Sequence, residues 1–238
     1  MISWLKKLIN FVLPPRCLIC NKQTSSYNTL CPECFHQINF IVSPYCAHCG
    51  TPLIGVDLNS SNLLCALCLD KKDIFRLRRA AFLYDESSKK ILLDFKFADH
   101  VENKKLLSQW LYWAGKDIFD AGVDLIIPVP LHYTRLFKRK YNQSALLANE
   151  LSRLSGIPAN FSCLRKTKRT LPQVLCNQKK RTSNLRDAFT IFHSELIKGK
   201  RIVLIDDVYT TGSTVRECAK MLKKAGAKSI DALTVAKV

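Results

Sequence analysis

Apolar and polar residues are intermixed along most of this chain, but Ile202–Ile205 are four branched aliphatics in a row. An apolar run this short predicts a strand buried on both faces, as in a parallel sheet. Asp124–Val129 (DLIIPV) has the same character. Ala80–Tyr84, Phe189–Phe192 and Ser229–Val235 are the other expected strands, the last after a break at Gly226. Between the strands the spacing turns helical. Ser87–Phe97 puts Ile91, Leu92 and Phe95 on one face, and Glu102–Ala114 reads as a second helix. Asn142–Leu154 is a third, ended by Gly156 and Pro158, and Val215–Ala225 a fourth. Strands alternating with helices predict an α/β fold on a doubly wound, mostly parallel sheet. Lys71–Arg79 reads as the linker into it. Beyond the paired cysteines described below there is no internal repeat, and there is no low-complexity tract.

At the N-terminus, Trp4, Leu5, Leu8, Ile9 and Val12 fall on one helical face. This reads as a helix packed on the body, in preference to one lying on a membrane surface. It does not read as an export signal. Lys6 and Lys7 interrupt the apolar run, and Pro14, Pro15 and Arg16 stand where small residues would be cleaved. No apolar run approaches the length of a membrane-spanning helix, so a cytoplasmic protein is expected.

The residues after Ile205 carry chemistry. Asp206 and Asp207 stand where the strand should end, and Thr210, Thr211, Gly212, Ser213 and Thr214 lead into the fourth helix. Ligands of open α/β sheets bind just beyond the carboxyl ends of strands. A short loop entering a helix N-terminus aims backbone N–H groups and a partial positive charge at that spot, which suits a phosphate. Gly212 allows the backbone to approach the anion closely. The carboxylates can then accept hydrogen bonds from the vicinal hydroxyls of a sugar whose phosphate the loop holds. Other readings fit less well. A receiver domain has an acidic pair near its N-terminus and lacks this loop. A P-loop ends in Gly-Lys-Ser/Thr, and no such lysine is present. The bland alternative is that the acids only cap the next helix.

Eight of the eleven cysteines form four CxxC pairs: Cys17/Cys20, Cys31/Cys34, Cys46/Cys49 and Cys65/Cys68. Each turn can present two thiolates to one metal, and two turns complete a tetrahedral four-cysteine site. Two structural zinc ions therefore fit, and metal would supply folding energy to a segment too short to bury its own core. Disulfides are disfavoured without an export signal, and thioredoxin-like chemistry needs one CxxC at a helix start, not an array. Sequential pairing (17/20 with 31/34, 46/49 with 65/68) is expected, and a crossed pairing remains open. His36 and His48 are close by but are not needed as ligands. Cys163, Cys176 and Cys218 fall outside the array, with Cys218 expected to pack in the fourth helix as a small hydrophobe.

Charge narrows the choice of ligand. Of 37 Lys/Arg and 19 Asp/Glu, residues 1–72 hold only six and three, which leaves +15 on the remainder. A surplus of this size favours polyanions: a pyrophosphate-bearing ligand, nucleic acid or anionic lipid. Arg135, Lys138, Arg139 and Lys140 place four cations in six positions, and Arg165–Arg186 adds eight in 22. Any one of these side chains can be read as part of a solvated face; as a group they can surround a pyrophosphate.

Together these motifs resemble the type I phosphoribosyltransferases and, more narrowly, the ComF/GntX-like family linked to natural competence. The resemblance runs almost end to end. It rests on CAHCGTP (46–52), IIPVPL (126–131), RKYNQS (139–144), RKT (165–167) with TLPQ (170–173), Arg181 with NLRDAF (184–189), and the 206–214 loop. Lys140 stands where common members have Gly, and Tyr209 where they have Thr or Val.

The resemblance implies an N-terminal double zinc ribbon over residues 1–72 and a phosphoribosyltransferase-like domain over 73–238. Asp206 and Asp207 would grip the ribose hydroxyls of phosphoribosyl pyrophosphate (PRPP), and Thr210–Thr214 its 5′-phosphate. A pyrophosphate loop would fall at Val129–Arg135, including Pro130 and Leu131, with Arg135, Arg139, Lys140 and Arg165 as cationic ligands and Mg2+ accompanying PRPP. A closing loop would lie near Arg165–Lys180. The family reaction passes through an oxocarbenium-like ribose attacked at C1′, and no residue identifies the incoming acceptor. The resemblance also implies handling of single-stranded DNA in the cytoplasm beside a helicase-like competence partner. Tyr133, Phe137 and Tyr141, interleaved with the cations, suit base stacking, or else belong to the core. The alternative is a phosphoribosyltransferase of small-molecule or nucleotide metabolism without nucleic-acid binding.

Overall fold

The computed structural model describes residues 13–56, 62–70, 73–97, 102–168 and 188–238. The expected helix through Trp4–Val12, Cys176 and most of the expected closing loop with its TLPQ, Arg181 and Asn184–Asp187 lie outside these residues, as does the Lys138 side chain.

Among the described residues, six strands and the helices between them carry the body. They are β1 (Arg78–Leu83), α3 (Glu86–Phe97), α4 (Asn103–Ala114), α5 (Lys116–Asp120), β2 (Leu125–Pro128), α6 (Tyr133–Arg139), α7 (Gln143–Ser155), β3 (Leu164–Lys166), β4 (Phe189–Ile191), β5 (Arg201–Tyr209), α8 (Ser213–Lys224) and β6 (Ser229–Lys237). Two short helices precede them, α1 (Pro32–His36) and α2 (Ala66–Leu69). Strands β1, β6, β5 and β2 lie in that order, all parallel, in one sheet. β3 and β4 form a separate antiparallel hairpin.

Alternation along β5 sorts the core. Val203 and Ile205 belong to the cluster with α3, α4 and α7, while Ile202 and Leu204 belong to the cluster with α8 and the β3–β4 hairpin. Both faces are therefore covered, which is why the apolar run is continuous. α8 shows the matching helical period, burying Val215, Cys218, Ala219 and Leu222.

The element ends depart from expectation in ways the pairing explains. β5 does not stop at Asp206. β6 is long enough to pair with it through Tyr209↔Lys237, whereas β2 leaves it at Pro128↔Ile205. The two acids thus lie within a strand on one side and past its neighbour's end on the other. β1 begins at Arg78, inside the expected linker, and Tyr84 and Val129 fall just outside their strands. α5, α6 and β3 were not expected; all are short, with too few turns or pairs to show a period.

The N-terminal lobe does not stand apart. The backbone of Asn39 and Ile41 bonds to Leu83 and Ala81 of β1, so a lobe segment covers an edge of the sheet. Phe40 packs edge-on against Trp110 at 5.0 Å, and Phe82 against the same ring at 5.8 Å. Among the described residues, no helix is long and apolar enough to cross a membrane.

Candidate functional site

Alternation along β5 sends its two carboxylates in different directions. Asp207 Oδ2 meets Lys96 Nζ from the end of α3 at 3.1 Å, and its Oδ1 accepts from the Val208 amide at 2.7 Å. Asp206 Oδ1 accepts from Ser144 Oγ at 3.0 Å and from the Asp207 amide at 2.9 Å. Burial first, and then the neighbouring Asp207 carboxylate, push the Asp206 carboxyl up to about 7.

The RKYNQS stretch builds this corner. Asn142 caps α7, accepting from the Ser144 amide at 3.1 Å, and its Nδ2 donates to the Val129 carbonyl. Gln143 Nε2 donates to the Lys96 carbonyl and Tyr141 Oη to that of Phe95, which fastens the end of α3 beside the acids. Lys140, at φ 65°, is the left-handed cap of α6. That conformation is the physical reason a glycine suits this position.

Beyond the acids, Gly212 is also left-handed (φ 69°) and caps α8. Thr211 Oγ1 and Ser213 Oγ are 2.8 Å apart, closing the loop on itself. The Ser213 amide turns onto Thr211 Oγ1 at 3.4 Å; amides in the first turn of a helix lack intrahelical acceptors, which suits the loop to an anion. The Val129–His132 turn runs alongside, its first amide bonded to the Ile205 carbonyl at 2.9 Å. Pro130 and Leu131 are half-buried there, and buried His132 caps α6 by accepting from the Thr134 amide.

The cations divide. Burial and Arg139 lower the Arg135 pKa. Lys166 is pushed down to about 8, chiefly by burial and then by Arg135, with Asp206 pulling the other way. Lys166 thus lies near enough to feel both Arg135 and Asp206, while Arg139, one turn along α6 from Arg135, donates to Gln143 Oε1 at 3.4 Å. Arg165, the expected ligand, is exposed instead, its guanidinium 4.7 Å over the Phe192 ring. On a strand adjacent side chains point to opposite faces, so the inward position of β3 is Lys166.

Several residues of this corner escaped the sequence reading. Lys96, Ser144 and Lys166 were present in the chain but not singled out for the site. Only Lys166 had a local signal, the alternation after Leu164.

The eight paired cysteines gather as two groups, Cys17/Cys20/Cys31/Cys34 and Cys46/Cys49/Cys65/Cys68, with sulfurs within 4.8 Å of one another in each. The Cys20–Cys31 and Cys49–Cys65 sulfurs are 3.6 and 3.7 Å apart. Zn–S bonds of about 2.3 Å give tetrahedral edges of about 3.8 Å, so both groups fit Zn2+. The sequential pairing is the one present; crossed pairing is not.

An acid pair and a glycine-bearing loop at the carboxyl end of a parallel strand, behind two four-cysteine lobes, define a type I phosphoribosyltransferase fold with an N-terminal zinc ribbon. Residues 8–69 match the double zinc ribbon domain and residues 141–238 the phosphoribosyl transferase domain. The chain belongs to the competence protein F (ComF/ComFC) family. It is 33% identical over 221 residues to competence protein F of Haemophilus influenzae, covering 90% of this chain and 93% of that one. It is 29% identical to the DNA utilization protein YhgH of Escherichia coli K12 (90% and 86% covered). It is 25% identical to competence protein ComFC of Bacillus subtilis (92% and 93% covered).

Proposed function

We propose that this protein binds PRPP with Mg2+ and handles single-stranded DNA in the cytoplasm during DNA uptake, alongside a helicase-like partner. The observation that carries the PRPP reading is the place of Asp206 and Asp207 at the end of β5, directly before the Gly212 loop, with Lys96 paired to Asp207 and Lys166 near Asp206. Thr210–Thr214 take the 5′-phosphate, Asp206 and Asp207 the ribose hydroxyls. Pro130, Leu131, Arg135, Arg139 and Lys140 take the pyrophosphate, joined by Lys166 from the hairpin, with Arg165 at the rim. Mg2+ bound with PRPP supplies charge neutralisation to the leaving pyrophosphate. The protein's own part is positional and electrostatic. We place the division between zinc lobe and PRPP-binding body at residues 72–73.

The DNA reading is supported by α6. Tyr133 and Phe137, one turn apart, are 64% and 84% exposed on one side of a helix that also carries Arg135 and Arg139. Exposed aromatics on a basic helix form a sequence-tolerant stacking platform for single strands. The names of the relatives, competence and DNA utilization, point the same way. Tyr141 does not join this platform, because its hydroxyl is committed to Phe95.

A second reading, phosphoribosyl transfer to a small acceptor without DNA, draws on the two groups near neutrality. Asp206 at about 7 and Lys166 at about 8 can exchange protons at physiological pH. Calorimetric titration with PRPP and Mg2+, then with a single-stranded oligonucleotide on the same preparation, separates the two. Binding of both supports the main reading. PRPP binding with no DNA binding at about 50 mM salt leaves the small-molecule reading.

A further inference from the structure

The second four-cysteine lobe touches the body through a chain of side chains that ends under the phosphate loop. Tyr209 is the residue before that loop, and it is buried. Its ring lies flush on Gly212: a Cβ built there would overlap the Tyr209 hydroxyl and ring atoms. The loop backbone thus rests directly on the phenol, and it cannot settle further in that direction without displacing the ring.

Arg78 holds the phenol. Its Nη1 donates to Tyr209 Oη at 2.7 Å, and the guanidinium lies 5.5 Å over the same ring. Nη2 pairs at 2.8 Å with Asp73, whose other oxygen meets Arg216 of α8 at 2.7 Å. Asp73 thereby ties the strand that holds Tyr209's partner to the helix that the loop enters. The Arg78 amide donates to the His48 carbonyl at 2.9 Å, within the turn between Cys46 and Cys49. Lys237, paired with Tyr209 in the sheet, reaches the Cys49 carbonyl at 3.2 Å and Thr51 Oγ1.

We propose that Tyr209 and Arg78 are positioning residues that lock the phosphate loop against the second four-cysteine lobe, which makes that lobe part of the anion site. The proposal deepens the PRPP reading and rests on it for its ligand. If these contacts only glued lobe to body, cutting one would loosen the interface at large and leave the loop no worse off than its surroundings. A lock acts locally, on the five residues that face the phosphate.

The test uses the full zinc-loaded chain and two variants. Tyr209→Phe removes one hydroxyl and keeps the ring; Arg78→Met removes its partner. Amide hydrogen exchange, read by mass spectrometry, is followed in peptides covering 210–216 and, in the same samples, β2 and α7. The expected result is exchange about tenfold faster in 210–216 alone, with the double variant no worse than Arg78→Met, because both cuts open the same contact. The PRPP dissociation constant should rise by a similar factor in parallel. Unchanged exchange in 210–216 in folded Tyr209→Phe overturns the lock, as does equal acceleration everywhere. If the parent protein binds no PRPP, the ligand reading fails, while the exchange data still decide the lock on their own.

Discussion

Ser144 Oγ donates to Asp206 Oδ1 at 3.0 Å, although the residues are 62 positions apart. The bond joins the capped start of α7 to the end of β5, and it favours the ionised carboxylate that burial and Asp207 oppose. A ribose hydroxyl donates more strongly to that ionised form.

Ser144→Ala should therefore raise the Asp206 pKa further and weaken PRPP by about three- to tenfold at pH 7, the worth of one such bond. The deficit should narrow as the pH is raised toward about 9, where Asp206 is ionised in both proteins. Calorimetry across that range checks this, and a deficit independent of pH would show that Ser144 acts by another route.

Lys166 gives a prediction of the opposite sign. Its folded pKa of about 8 lies below the usual lysine value of 10.5. Between those values the unfolded chain holds the extra proton, so stability rises with pH there, and below pH 8 the buried charge costs stability. Lys166→Met should raise the melting temperature at pH 7 yet weaken PRPP. A bound pyrophosphate pulls the lysine back toward its charged form, so binding near pH 8–9 should take up a proton. Titrations in buffers of different ionisation enthalpy would reveal this uptake, and Lys166→Met should abolish it. Loss of both stability and affinity would mark Lys166 as ordinary core.

The β5 run, the TTGST loop and the CxxC spacing were legible in the sequence because each is a local pattern. Period 2, a left-handed glycine before a helix and a two-residue metal turn are all written within a dozen residues. Lys96 and Ser144 were not legible. Nothing near them in the chain marks a lysine at the end of α3, or a serine in the first turn of α7, as facing Asp207 and Asp206. Only the parallel pairing of β5 with β2, and the bonds made by Asn142 and Gln143, bring them there. The exposure of Arg165 was hidden for a related reason. Charge density picked out the RKT stretch, but the choice between neighbours is set by strand facing, which a three-residue strand hides.

The two four-cysteine groups should hold two zinc ions per chain by native mass spectrometry. Cys46→Ser should retain one, bound by Cys17, Cys20, Cys31 and Cys34, with the second lobe unfolded. The body should still bind PRPP, more weakly if the lobe braces the loop as proposed. Protein purified without chelator that carries no zinc and keeps its N-terminal lobe folded would contradict the assignment.

On α6, DNA binding should depend steeply on salt. Four to six phosphate contacts predict a log–log slope of about −3 to −4. Arg139→Ala should flatten the slope, because it removes a charge. Phe137→Ala should leave the slope alone and weaken binding uniformly, by about 1–3 kcal/mol if a base stacks there. Fluorescence anisotropy with a labelled oligonucleotide distinguishes the two, and unaltered binding in Phe137→Ala would remove the stacking platform.

The central claim is that the acid pair and the Gly212 loop form a PRPP site, and calorimetry of PRPP with Mg2+ on Asp206→Asn/Asp207→Asn tests it most directly. The variant removes a buried carboxylate that ionises unwillingly but also the partner of Lys96, so thermal melting near pH 7 first establishes that it is folded. Each lost charge-assisted hydrogen bond costs about 1.5–3 kcal/mol, so PRPP affinity should fall by at least about a hundredfold. Parent-like PRPP affinity in the folded double variant would contradict the account.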